Sequence, residues 1–466
     1  MEYGEAWGLL AGVCLFSACG DEATHPFDAG SADGGAATEN TGSSNPSSPS
    51  SADSTAGTTS PSGPDSSGGE EEEGSDTGEI KLDVGSPSGG FGSCECELIY
   101  LWVSDHVEST VSKINTRTLE EEGRYLTDPN GAGDPSRTSV NLSGDVAVAN
   151  RFGGLVKFYA DEADCVESNG MPGIQTSTGK DDVLPWDVEE CRAWYTDFPT
   201  TNQRPVAWTG GTVKGPNECD ASEAQVWTVT SAVQGLFPGL GGAGGVIAYL
   251  VDGQSGSIDE QVQIDDFPGG QYGAYGGAVN AAGDLFFSPL GVFGNGQLAR
   301  VEHDSLDVTI WPMPQNVNSY GITVDHKGRV WVSSTLGSGA ARFDTATETW
   351  DVVMGFAGGS GLAEGPDDTM YVSAGNTIRA VHIDTLALGG TWTTQESVKG
   401  VSFDADGYLW GVTYRDEKDP MSFAAAYKID VATMMTDGVY AELGDPYTYS
   451  DMTGNALGSV ACAPEG

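Results

Sequence analysis

Basic residues are scarce in this chain. Its 466 residues include 20 Lys and Arg against 68 Asp and Glu, a formal charge of −48. So negative a surface excludes a nucleic-acid partner and direct docking on anionic headgroups. Histidine is rarer still, at 5, which leaves few candidates for acid–base or metal work. There is no Gly-x-Ser-x-Gly elbow and no zinc-finger spacing. The glycine run Gly239–Gly245 lacks the Lys-Ser/Thr that a phosphate-cradling loop requires. The apolar stretch near the start, Trp7–Phe16, is too short to cross a bilayer. What the chain has in quantity is glycine, 67 residues. That composition suits a loop-rich β protein and not a helix-rich enzyme.

One phrase recurs at intervals of about forty residues. It reads Tyr320-Gly-Ile-Thr-Val-Asp-His-Lys-Gly-Arg-Val-Trp331, followed after a gap by Ala341-Arg-Phe-Asp344. A hydrophobic alternation enters an Asp/Gly turn, a second strand begins on an aromatic, and a third ends in an aliphatic-Asp turn. The second-strand anchors are Trp102, Val148, Trp227, Phe286, Trp331, Tyr371 and Trp410. Strand repeats of this length predict an all-β fold, a seven-bladed β-propeller, with the anchors packing blade on blade. The first copy lacks an inner strand of its own. The segment Tyr447–Val460 is expected to supply it, so that the two ends share one blade and no sheet edge stays open.

The chain divides at its composition shifts. Residues 1–18 read as a lipoprotein signal peptide and Cys19 as the lipidated residue, because Leu15-Phe-Ser-Ala-Cys19 resembles a bacterial lipobox. Residues 19–93 are Ser/Gly-rich and acidic, with the run Glu70–Glu73. They read as a disordered tether that cannot bury enough apolar surface to fold. Residues 94–466 hold the propeller, with a Cys-containing insertion at about 160–222. This organisation predicts a monomer in the bacterial cell envelope, held at the outer membrane or cell surface through its lipid alone. Export makes disulfides the expected state of Cys94, Cys96, Cys165, Cys191, Cys219 and Cys462. Cys94 or Cys96 is expected to bridge Cys462 if the ends share a blade.

The repeat resembles the streptogramin (virginiamycin B) lyase-like propellers. The stretches that carry the likeness are Tyr320–Trp331 and Val401-Ser-Phe-Asp-Ala-Asp-Gly-Tyr-Leu-Trp410, each with its Arg/Lys-aliphatic-Asp third strand. The anchored, tethered layout is similar to propeller lipoproteins of myxobacteria. The lyase resemblance implies opening of a cyclic depsipeptide ester by elimination, with a His base and a Mg²⁺ held near Glu and His after the second-strand aromatic. Here those places hold Ser333-Ser334, Ser373-Ala374 and Val412-Thr413. No catalytic residue transfers. The expectation is therefore non-enzymatic binding or recognition. A lyase or hydrolase acting at the axial mouth is the alternative.

Two places could hold a ligand. Aligning the repeats puts Arg137, Arg204, Tyr275, Tyr320, Lys399 and Asp451 just before or at the inner strands, around one mouth of the ring. Cations with aromatic walls there suit an anionic glycan or peptide. Alternatively, each cation pairs with a neighbouring acid. The insertion carries Asp164, Glu167 and Asn169 in a degenerate calcium-loop pattern, with Met171 and Pro172 where Asp and Gly belong. Calcium is the one cofactor this suggests, against a disulfide-pinned surface loop. Asp187 and Glu190 have capping-box spacing, which predicts a two-turn helix that packs Trp194 on the ring.

Overall fold

The computed structural model describes residue 96 and residues 98–462, apart from 212–218, 220, 233–243, 268–271, 292–295, 336–338, 357 and 416–420. The signal, Cys19, the tether and Cys94 lie outside the described residues.

The chain is a seven-bladed β-propeller. Six blades are four-stranded antiparallel sheets, each built from strands consecutive in sequence, and the first has three strands of its own. Blade 5 represents the pattern, with strands Ser319–Val324, Val330–Ser334, Ala340–Asp344 and Thr349–Val353. Its first two strands are buried along their whole length, while the outermost alternates exposed and half-buried before a buried Val353. Sheets stacked face to face around an axis give this gradient, since only the rim strand meets water.

Turn chemistry sets the register. In the turn joining the first two strands, Asp325 Oδ1 accepts the Lys327 and Arg329 amides at 3.1 and 2.9 Å, and Gly328 takes a φ of 78°. Asp404 with Gly407, Asn141 with Gly144 and Asn280 with Gly283 repeat the device. An Asx side chain satisfies the turn amides while glycine takes the left-handed position. The anchors follow. Trp331 Nε1 donates to Asp325 Oδ2 and Trp410 Nε1 to Asp404 Oδ2, both at 2.9 Å. Trp102 and Trp227 reach the next blade, donating to Gly144 O and Gly283 O. All four tryptophans are fully buried, as blade-to-blade packing requires.

Cations clasp neighbouring blades. Opposite Trp102, Trp331 and Trp410 on the third strand stand Lys113, Arg342 and Lys428. Each donates to a carbonyl just past the third strand of the following blade: Lys113 to Ala160 O at 2.6 Å, Arg342 to Ile383 O, and Lys428 to Thr116 O at 2.9 Å. Lys157 does the same to Gly253 O at 3.2 Å and also meets Asp145 at 2.9 Å. The Lys428 clasp closes the ring from blade 7 to blade 1.

The carboxyl-terminal segment completes blade 1. Beside Tyr100–Asp105, Trp102 N donates to Met452 O at 2.8 Å, Tyr447 N to Ser104 O at 2.9 Å, and Asp105 bridges Pro446 antiparallel. The segment is not the single strand expected over Tyr447–Val460. Gly454 has a φ of 85° and ends the extended run, and Asn455–Ala461 is a helix. Asp451 dictates this change, since its carboxylate accepts the Gly454 amide at 2.8 Å and the Leu457 amide at 3.3 Å. Leu457 and Val460 then bury in the main core.

Two other expectations need correction. Residues 187–195 form no two-turn helix. Arg192–Thr196 is the outer strand of blade 2, and Trp194 Nε1 donates to Gly253 O at 3.0 Å. The run Arg192-Ala-Trp-Tyr-Thr196 favours a pleated strand, and the Glu190 carboxylate is spent on loop amides instead of a cap. Of the two cysteines expected to bridge Cys462, Cys96 is excluded because it bonds Cys219, and Cys94 lies outside the described residues. Cys165 bonds Cys191 within the insertion. Cys462 is itself in a disulfide, and its partner lies outside the described residues.

Candidate functional site: the tyrosine-closed axial mouth

The inner strands begin at one mouth of the ring. Period-two alternation in Tyr447-Thr-Tyr449 turns both rings toward the axis. There they join Tyr275 and Tyr320 in a buried cluster, with Leu290 and Tyr272 against it. Tyr447 is the hub, its hydroxyl 2.8 Å from that of Tyr275 and 2.7 Å from that of Tyr320. Burial, together with the two neighbouring phenols, pushes the Tyr320 hydroxyl well above the ordinary range. Together the four rings close the mouth.

Cations surround this plug. Arg137 is 0% exposed and donates to Ser136 O at 2.8 Å and Tyr275 O at 2.9 Å. Its guanidinium lies 3.1 Å from the Tyr449 ring centre and 5.0 Å from that of Tyr275. Arg204, 6% exposed, flanks Tyr275 at 5.2 Å and donates to Asn202 Oδ1 at 3.2 Å. Burial pulls the pKa of both arginines down, that of Arg137 to about 9. Neither meets a carboxylate among the described residues. Lys399 Nζ sits between Tyr414 and Tyr320, at 4.8 and 5.6 Å from their ring centres.

Alignment of the repeats therefore brings Arg137, Arg204, Tyr275, Tyr320 and Lys399 together, as expected. It misplaces Asp451, which caps the terminal helix and lines a small axial cavity with Ser139, Thr323 and Ser402. Burial raises the Asp451 carboxyl to about 6 against the backbone bonds it accepts. The expected funnel is not open either, since the arginines and the tyrosines are all buried.

Sequence reasoning missed five residues here, the hub Tyr447 among them. Arg151 stacks on Tyr447 at 4.7 Å and meets Asp134 at 3.0 Å. His106 Nδ1 lies 3.5 Å from Asp134, the pair 17% and 18% exposed. His106 also packs edge-on against Tyr447, with ring centres 5.8 Å apart. Tyr449 completes the set. The alternation of Tyr447 and Tyr449 was the available signal. Nothing local marks His106, Asp134 or Arg151, because the fold brings them together from separate loops.

The other sequence candidate lies in the insertion. Asp164 is in a one-turn 3-10 helix capped by Asp161. Glu167 and Asn169 accept the amides of Gly170 and Met171 at 2.6 and 2.8 Å. The loop closes on Glu190, whose carboxylate accepts the Ser168, Asn169 and Gln175 amides. Those bonds hold its pKa below the ordinary range. Inward N–H donors suit a carboxylate and have the wrong polarity for calcium.

One further cluster sits where inner strands end. His326 Nδ1 is 2.6 Å from Glu364 and its Nε2 is 3.4 Å from Asp368. The two ring nitrogens face different carboxylates, and Lys327 lies 3.3 Å from Asp368. The imidazole bridges the two acids, and the three side chains lie within 4.8 Å of one another.

No protein-family model matches the chain, and no curated protein does. Several solved structures are similar to it over most of their length. A functionally unknown protein from Desulfotomaculum acetoxidans superposes with a TM-score of 0.51 at 14% identity, over 76% of this chain and 99% of that one. A streptogramin B lyase structure gives 0.47 and 13%, over 70% and 90%. The β-propeller domain of Cps50 from Myceliophteria thermophila gives 0.47 and 13%, over 69% and 90%. At such identities the likeness concerns architecture alone.

Proposed function

We propose that this chain is a lipid-anchored envelope protein whose propeller recognises an anionic glycan or peptide without transforming it. Cys19 carries the lipid, residues 19–93 act as a charged tether, and the propeller works as a monomer. One observation supports recognition at the axial mouth. In a chain of charge −48, Arg137, Arg151, Arg204 and Lys399 gather around one tyrosine cluster. Arg137, Arg151 and Arg204 are buried, so the external ligand meets Lys399, with Tyr414 as a wall. Charge-assisted bonds from such groups hold carboxylate or sulfate.

The test is binding of acidic glycans and peptides at low salt. Lys399→Glu reverses the rim charge and should weaken binding at least about tenfold, with the circular dichroism spectrum unchanged. Undiminished affinity would overturn the reading. Anchoring is checked by fatty-acid analogue labelling, expected for the wild type and lost in Cys19→Ala.

A lyase or hydrolase at the same mouth is the second reading. The 3.5 Å pairing of His106 with Asp134 beside Tyr447 favours it, as a candidate general base with its orienting acid. Ester substrates opened by the wild type and untouched by His106→Ala would replace the first reading with this one.

A further inference from the structure

His303 and His326 each have polar neighbours at both ring nitrogens. For His303 these are Asp304 and Gln225, at 2.8 and 2.9 Å, both hydrogen-bond distances. His326 has one short side and one long. Its Nδ1 stands 2.6 Å from Glu364 Oε1, and its Nε2 stands 3.4 Å from Asp368 Oδ1. Glu364 is 2% exposed, and its other oxygen accepts the His326 amide at 2.8 Å. One buried carboxylate therefore fixes the ring and the backbone of His326 together. With the ring proton on Nδ1, the Nε2 lone pair is turned toward the Asp368 carboxylate, and two acceptors face each other. A charge-assisted N–H···O bond spans about 2.7–2.9 Å, so the gap is too long for a proton alone. Two ligands at about 2.0–2.1 Å from a tetrahedral ion stand roughly 3.3–3.5 Å apart, and the gap matches that separation.

We propose that His326 and Asp368 hold a divalent transition-metal ion of the zinc class, with Glu364 as the acid that orients the imidazole. A ligating histidine characteristically donates its second ring N–H to a carboxylate. Imidazole with carboxylate suits zinc, nickel or copper, whereas calcium and magnesium prefer oxygen ligands. Burial follows the roles. The orienting acid is sealed, while His326 and Asp368, 27% and 40% exposed, are open to an ion from solvent. Lys327 lies 3.3 Å from Asp368 but 2.7 Å from Asp384, so it can leave Asp368 to the ion and keep its closer partner. Both ligands sit on turns that follow inner strands, His326 on blade 5 and Asp368 on blade 6. The ion ties these blades at the end of the ring opposite the tyrosine mouth, so it does not depend on any ligand at the rim. Water completes its coordination.

The experiment uses the purified full chain, freed of metal with a chelator and titrated with zinc chloride in a calorimeter. Wild type should show a saturable step that calcium and magnesium chloride do not reproduce. His326→Ala and Asp368→Asn should remove that step, Glu364→Gln should weaken it by about 10–100-fold, and His303→Ala should leave it unchanged. Asp368 lies on an exposed turn, so its variant stays informative if Glu364→Gln fails to fold. Wild-type crystals soaked in zinc should give an anomalous peak beside His326 Nε2. A wild-type isotherm identical to that of His326→Ala, or a crystal with no such peak, overturns the proposal. So do nitrogen-15 shifts that show His326 protonated on both ring nitrogens with and without zinc, because the imidazolium would then bridge the two acids by itself.

Discussion

Buried cations occur in this propeller in two settings. Between blades, Lys157 is 1% exposed, faces Asp145 at 2.9 Å and donates to a carbonyl of the next blade. On the axis, Arg137 is equally buried but meets only carbonyls and aromatic faces. The clasp needs only its own blade and the next, so it is locally complete. The axial setting is assembled from Tyr275, Tyr320 and a segment more than a hundred residues further on, Tyr447–Tyr449. An ammonium is a compact charge that a single carboxylate can match, whereas a guanidinium can be spread over π faces. The clasps therefore hold the ring, and the carboxyl-terminal segment shields its centre.

The largest break in this comparison is removal of residues 445–466. Blade 1 would lose its inner edge, the tyrosine plug would open, and Leu457 and Val460 would leave the core. The clasps should not compensate, and cooperative thermal unfolding should disappear from calorimetry. Next comes Asp145→Ala, which strands Lys157 in the interior and should cost about 3–5 kcal/mol in denaturant unfolding. Adding Lys157→Met should recover most of that loss. An Asp145→Ala protein as stable as the wild type would erase the distinction between the two settings.

The pH dependence is smaller and has a definite sign. The Asp451 carboxyl is raised from 3.8 to about 6, mainly by burial. Its protonated form is favoured in the folded state. The stability it contributes is complete below pH 3.8 and is withdrawn as pH rises through 6, by about 3 kcal/mol in all. Asp451→Asn should flatten the stability profile across that window. The smallest effect is expected at Arg117, which reaches from blade 1 to Asp406 of blade 7 at 2.9 Å but is 46% exposed. Arg117→Ala should cost under about 1 kcal/mol and less still at high salt.

Much of the architecture was legible because each blade writes the same short-range physics. Asp325, Gly328 and Trp331 announce a turn, a left-handed position and a buried anchor within seven residues, and the other copies repeat them. The mouth was legible where equivalent positions could be aligned, which is why Arg137, Arg204, Tyr275, Tyr320 and Lys399 do meet. Asp451 escaped because its role is to cap a helix that follows Gly454, outside the repeat. The pairing of His106 with Asp134 depends on loops of different blades, and no periodicity reports it. The Cys96–Cys219 bridge was equally hidden, since it joins residues 123 apart in sequence and pairing cannot be read from spacing.

Amide hydrogen exchange of residues 445–453 tests the shielding role most directly. The Tyr447 amide is bonded to Ser104 O and the Trp102 amide to Met452 O, at 2.9 and 2.8 Å. If this segment seals the axis, both amides should exchange only on global unfolding, at the rate of the central strands of blades 5 and 7. Rapid exchange at Tyr447 and Trp102 while those strands stay protected would contradict it.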